Sequence, residues 1–199
     1  MIQSVTVYCS SSSAVPPVFR EAAAELGGAI ASTKWKLVYG GNNVGLMGVV
    51  ADACRAAGGK VIGITPQLMV DQGICDRLCD ELLVTTCMRE RKALLEQRGD
   101  AFVTLPGGLG TFEEIFEIIV GKQLRYHTKP IVLLNVENYF GPLLAMIEHG
   151  IELKFIKPRA RDLYFVAPTV AAAVDYLHAY VPPPVTDKWF VQSVPSGVE

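Results

Sequence analysis

Nowhere in the 199-residue sequence do about eighteen consecutive apolar residues occur, so no membrane-spanning helix is expected. A basic excess is also missing. Eighteen Lys and Arg face twenty Asp and Glu, a formal net charge of −2, and no basic stripe marks a nucleic-acid or anionic-membrane surface. The opening Met1-Ile2-Gln3-Ser4-Val5 has neither a charged leader nor a cleavable apolar core, which predicts a cytoplasmic protein. Cysteine is sparse and odd in number. Cys9, Cys54, Cys75, Cys79 and Cys87 do not make a secreted disulfide framework. Cys75 and Cys79 stand beside Asp76 and Asp80, but the three histidines at 127, 149 and 178 are remote, so neither a metal nor a cofactor is expected.

What the chain does have is apolar content, 50% against 19% charged, ample for a sizeable core. Short β-branched runs alternate with helix-length segments. Strands are predicted at Ser4–Cys9, Lys36–Tyr39, Lys60–Ile64, Glu81–Thr85, Ala101–Leu105, Ile131–Asn135 and Tyr164–Val166. Helices are predicted near Pro16–Lys34, Gly45–Ala57, Cys87–Arg98, Thr111–Tyr126, Gly141–Gly150 and Thr169–Tyr180, with a longer loop over 65–80. Runs such as Ile131-Val132-Leu133-Leu134 are apolar throughout and read as strands buried on both faces. The expected fold is therefore a single-domain, Rossmann-like, doubly wound α/β sheet over residues 1–180, followed by an irregular tail at 181–199.

Ligands in such folds bind beyond the carboxyl ends of the strands. Three of those ends carry unusual turns: Ser10-Ser11-Ser12-Ser13, Gly40-Gly41-Asn42-Asn43-Val44-Gly45 and Pro106-Gly107-Gly108-Leu109-Gly110-Thr111. None matches the dinucleotide fingerprint or the phosphate loop ending in Gly-Lys-Ser/Thr. The last turn leads from a buried strand into a helix. Its glycines and the helix start suit an anion, most plausibly phosphate, although a tight turn alone also calls for glycine.

Two side chains stand out. Arg91 sits at the centre of a helix face shared with Cys87, Met88, Leu94 and Leu95, where a guanidinium needs an anionic or hydrogen-bonding partner, in a site or in the structure. Glu114 closes Thr111-Phe112-Glu113-Glu114, a capping-box spacing that serves a backbone N–H as readily as it serves catalysis. On the same helix Phe112, Ile115, Phe116 and Ile119 form the expected core stripe.

The run Pro106-Gly107-Gly108-Leu109-Gly110-Thr111-Phe112-Glu113-Glu114 resembles the PGGxGTxxE signature of the LONELY GUY family, phosphoribohydrolases that activate cytokinins and are often mislabelled lysine decarboxylases. Met88-Arg89-Glu90-Arg91-Lys92 resembles its shorter second motif. Leu37–Gly48 and Gln123–Leu134 are also similar, so the likeness spans roughly residues 4–180. It implies hydrolysis of the N-glycosidic bond of a purine nucleoside 5′-monophosphate, AMP or an N6-isoprenoid derivative, to free base and ribose 5-phosphate. Arg91 and Glu114 match the catalytic pair. The substrate- and phosphate-binding set it implies is Ser11, Gly41, Met88, Lys92, Gly107, Gly108, Gly110, Thr111 and Glu113, and the partner is a second copy in a homodimer. Arg89 stands where the second motif commonly has His, and Ser10 where the first loop usually has Gly; both bear on substrate preference. A non-catalytic carrier of nucleotide or molybdenum cofactor with the same fold is the alternative. No lysine is singled out for a pyridoxal Schiff base.

Overall fold

The computed structural model describes residues 1–182. Seven strands, β1 (Ser4–Tyr8), β2 (Lys36–Tyr39), β3 (Val61–Pro66), β4 (Glu81–Thr85), β5 (Ala101–Thr104), β6 (Ile131–Leu134) and β7 (Phe165–Ala167), form one sheet in the order β4-β3-β2-β1-β5-β6-β7. Every pairing is parallel. The helices are α1 (Pro17–Ser32), α2 (Gly45–Ala56), α3 (Gln67–Asp71), α4 (Met88–Arg98), α5 (Leu109–Gln123), α6 (Gly141–Glu152) and α7 (Val170–Ala179).

Parallel strands require crossovers, and the crossovers cover both faces. Side-chain alternation along each strand then divides the core in two. Val5, Val7, Leu37, Tyr39, Ala101 and Val103 pack on the face that carries α1, α2 and α7. Tyr8, Val38, Ile62, Ile64, Phe102 and Leu133 pack on the opposite face with Leu95 of α4 and Ile115, Ile118 and Ile119 of α5. This is why the central strands read as uninterrupted apolar runs.

The chain runs outward from β1 to β4 and then returns to β5 on the other side of β1, so the strand order reverses between β1 and β5. A crevice opens at that point, beyond the carboxyl ends of the two strands.

Four sequence expectations are revised. The presumed loop after residue 65 begins with the end of β3 and the five-residue helix α3. Helix α5 starts at Leu109 with Gly108 as its N-cap, two residues earlier than expected; Thr111 therefore lies inside the first turn and the capping box does not form. The inward stripe of α5 is Ile115, Ile118 and Ile119, with Phe112 half-buried and Phe116 exposed. On α4, Arg91 and Leu95 are buried, whereas Cys87 and Met88 are exposed. Most of the tail expected at 181–199 lies outside the described residues.

Candidate active site

A cleft of about 380 Å³ occupies the crevice, within the ~300–1,000 Å³ range of small-molecule sites. The β1 end contributes Tyr8, Ser10, Ser11 and Ser12, the β2 end Gly40 and Asn42, and the β3 end Pro66. Met88, Arg91 and Lys92 enter from α4; Gly108, Gly110, Thr111, Glu113 and Glu114 enter from α5. A larger cleft, about 670 Å³, lies at the opposite edge of the sheet among Gln3, Trp35, Lys129 and His178. It lies at the amino ends of the strands and brings together no comparable pair of buried charges.

Arg91 is 7% exposed. Its Nε donates to the Ile64 carbonyl at 2.9 Å and its Nη2 to the Gly40 carbonyl at 3.2 Å, while Nη1 reaches Glu114 Oε1 at 3.4 Å. Two backbone carbonyls thus fix the guanidinium plane, and the carboxylate contact is the long one. Gly40 makes the arrangement possible: a Cβ there would lie 2.1 Å from Arg91 Nη2. Gly41 serves the turn itself, with φ +69 and its Cα packed against β3.

Glu114 is nearly buried, and burial pushes its carboxyl up from the ordinary 4.5 to about 7, with Arg91 and Lys92 pulling down against Glu113 and Glu117. A carboxylate poised near neutrality beside a fixed guanidinium, in a cleft, is the pattern of a reactive group. Tyr8 faces the same space; burial first, then the Glu114 charge, holds its phenol neutral.

The start of α5 is the place in the cleft that could hold an anion. The first ladder bond of this helix runs from Phe112 N–H to the Gly108 carbonyl at 3.0 Å, and no side chain caps the helix. The N–H groups of Leu109, Gly110 and Thr111 are therefore left at the positive end of a 15-residue helix. Gly108 and Gly110 line the cleft there as exposed residues, and Thr111 beside them is buried.

The remaining expected residues divide. Ser11 and Met88 line the cleft. Lys92 and Glu113 do too, but they bond each other at 2.7 Å, and Lys92 also meets Glu117 at 3.0 Å. That cation is spent on joining α4 to α5. Gly41 and Gly107 are in the turns without lining the cleft; the Gly107 carbonyl accepts from Tyr139 Oη at 2.5 Å. Tyr8, Met47 and Met69 were not singled out in the sequence, and Asn42 only as part of the Gly40–Gly45 turn. Tyr8 ends β1 and Asn42 follows β2, whereas Met47 and Met69 sit in α2 and α3. Among the described residues no cluster of three or more His, Cys, Asp or Glu side chains is placed to hold a metal.

A family model described as "Possible lysine decarboxylase" matches residues 47–177. A probable cytokinin riboside 5′-monophosphate phosphoribohydrolase of Oryza sativa subsp. japonica is 44% identical over 178 residues, 89% of this chain and 78% of that one. The chain belongs to the LONELY GUY family. A cytokinin riboside 5′-monophosphate phosphoribohydrolase of Arabidopsis thaliana is 40% identical over the same share of this chain, again covering 78% of the relative. Among solved structures, the molybdenum cofactor binding protein of Rippkaea orientalis superposes with a TM-score of 0.67 at 21% identity, covering 89% of this chain and 97% of that one. It shares the LONELY GUY fold. The matched segments take in both the Arg91 helix and the Glu114 helix.

Proposed function

We propose that this protein hydrolyses the N-glycosidic bond of a purine nucleoside 5′-monophosphate, AMP or an N6-isoprenoid adenosine monophosphate, releasing the base and ribose 5-phosphate. The observation that carries the reading is the Arg91–Glu114 pair, set in one cleft beside the uncapped start of α5. The phosphate accepts hydrogen bonds from the Leu109, Gly110 and Thr111 N–H groups, far enough from the reacting bond to contribute binding energy without touching it. Cleavage develops positive charge on the ribose ring, as in glycoside hydrolysis. The ionised Glu114 carboxylate stabilises that charge and accepts a proton from the water that bonds to the anomeric carbon, while the electron pair of the broken C–N bond leaves on the base, which takes up a proton from solvent. Arg91, a poor proton donor with its plane fixed by two carbonyls, orients Glu114 and keeps a fraction of it ionised at neutral pH.

The sequence relatives at 40–44% identity, which bear phosphoribohydrolase names, support this reading. The non-catalytic carrier of the same fold needs the α5 start but no carboxylate near neutrality. Incubating the purified protein with AMP and with isopentenyladenosine monophosphate, and separating bases by chromatography, tests the proposal. Free base is expected, with adenosine turned over poorly; no base from either nucleotide at saturation moves the protein to the carrier reading.

The finer parts of the proposal are a homodimer and a cytoplasmic setting. Phe116, Val120 and Leu124 form an exposed apolar stripe along α5, 42%, 45% and 37% accessible, at the spacing of one helix face. A second copy seated there covers it. Five cysteines free of disulfides suit a reducing compartment.

A further inference from the structure

A second buried network adjoins the Gly40–Asn43 turn, and its members Tyr39, Arg55 and Asp76 do not line the cleft. Asp76 is 2% exposed. Its Oδ2 accepts from Tyr39 Oη at 2.6 Å and from Arg55 Nη1 at 2.7 Å, and its Oδ1 accepts from the Leu78 N–H at 2.9 Å. The same residue's N–H donates to the Gly41 carbonyl at 2.8 Å. Tyr39 and Gly41 flank Gly40, so Asp76 grips the chain on both sides of the one peptide whose carbonyl receives Arg91 Nη2. The loop around it adds to the grip. Asn43 N–H donates to the Ile74 carbonyl at 3.1 Å, and Asn42 bridges Cys75.

A buried carboxylate with this many donors costs desolvation that a simple apolar contact would avoid. What the network supplies in return is a fixed position for a backbone carbonyl, and that carbonyl is one of the two that set the guanidinium plane.

We infer that Asp76, held by Arg55 and Tyr39, is a positioning residue for the glycosidic hydrolysis proposed above, acting through the Gly40 carbonyl on Arg91 and through Arg91 on Glu114.

The inference rests on that reading of the reaction, but its test does not rest on turnover alone. Loosening the Gly40 carbonyl lets Arg91 drift, and Glu114 then loses part of the charge that favours its ionised form. The other groups facing Glu114 are Lys92 on α4, Glu113 and Glu117 on α5 itself, Tyr8 on β1 and Cys9 just after it; Asp76 bonds none of them. The experiment compares wild type, Asp76→Asn and Tyr39→Phe by nucleotide kinetics, and by carbon-13 NMR titration of Glu114 in the ligand-free protein. Asp100→Asn is the control. Its side chain accepts from Gln3 N–H at 2.8 Å and Ser4 N–H at 3.1 Å at the amino end of the sheet, a purely structural carboxylate.

The expected result is a fall in kcat of about ten- to a hundredfold for Asp76→Asn, with KM nearly unchanged and the Glu114 titration displaced to higher pH. Tyr39→Phe shows the same direction at smaller size and carries the test if the Asn variant does not fold. Asp100→Asn lowers Tm and moves neither readout. Asp76 and Tyr39 variants that lose Tm while kcat and the Glu114 titration stay at wild-type values overturn the inference. A wild type inert toward every nucleotide removes the proposed reaction, and the NMR titration still decides whether Asp76 governs the Arg91–Glu114 pair.

Discussion

Two arginine–carboxylate pairs serve one turn of this protein, and they are built to opposite specifications. Arg55 meets Asp76 at 2.7 Å, and a phenol and a backbone N–H complete the carboxylate's shell. Burial alone would push the Asp76 carboxyl up; the Tyr39, Leu78 and Arg55 bonds outweigh it and leave the group below its ordinary range. Arg91 meets Glu114 at 3.4 Å, no other hydrogen bond reaches that carboxylate in the described structure, and burial wins, raising it to about 7. A guanidinium and a carboxylate thus give a locked ion pair in one place and a poised one in the other. Hydrogen-bond supply, not the presence of an arginine, makes the difference.

The largest expected effect is the loss of turnover on attacking the poised pair. Glu114→Gln removes the charge while keeping the shape, and steady-state kinetics should show kcat reduced on the order of 10²–10³. Arg91→Lys should fail to restore the activity that Arg91→Ala loses, because a point charge cannot bond Ile64, Gly40 and Glu114 from one plane. Near-normal kcat in Glu114→Gln erases the contrast between the pairs.

A pH profile sharpens it. If Glu114 acts ionised, kcat/KM of the wild type should rise with pH through about 7, the range to which burial has moved this carboxyl. An acid limb near the ordinary carboxylate value of 4.5 would show that Glu114 does not control the reaction.

The smallest effect is on stability, and its sign differs between the pairs. Glu114 has a folded-state pKa above its unfolded value. Its favourable contribution is therefore complete below about 4.5 and is lost as pH rises through 7. Asp76 is depressed, so its contribution is present above its unfolded value and is lost as pH falls through the lower folded one. Denaturant melts at pH 5 and pH 8 should find Glu114→Gln gaining on wild type as pH rises, by about 2–3 kcal/mol for a carboxyl moved from 4.5 to about 7. Asp76→Asn should show its deficit at both values. A Glu114→Gln difference that is flat with pH breaks the comparison.

Much of this was legible from sequence because apolar runs and period-2 alternation record burial directly. Ile131–Leu134 needs no partner to be read as a strand covered on both faces. Arg91 was legible in part: it shares a helix face with the buried Leu95 and demands an explanation there, although Cys87 and Met88, read as lying on that face, are exposed. Glu114 was ambiguous because capping and catalysis share a spacing, and only the start of α5 at Leu109 separates them. Helix α3 was missed since five residues show no period. Asp76 was invisible as a hub. Its partners lie 37 and 21 residues away in the chain, and no local pattern announces a contact of that span.

The reversal of strand order between β1 and β5 has a kinetic consequence. Val5 pairs with Ala101, and Thr6 with Phe102, so the centre of the sheet closes only after nearly a hundred residues have been brought into line. Such long-range pairing is intrinsically slow. The Ser10 loop and the Glu114 helix meet across that same seam. The cleft therefore depends on that pairing, and refolding followed by hydrogen exchange should protect the cleft residues no earlier than the amides of β1 and β5.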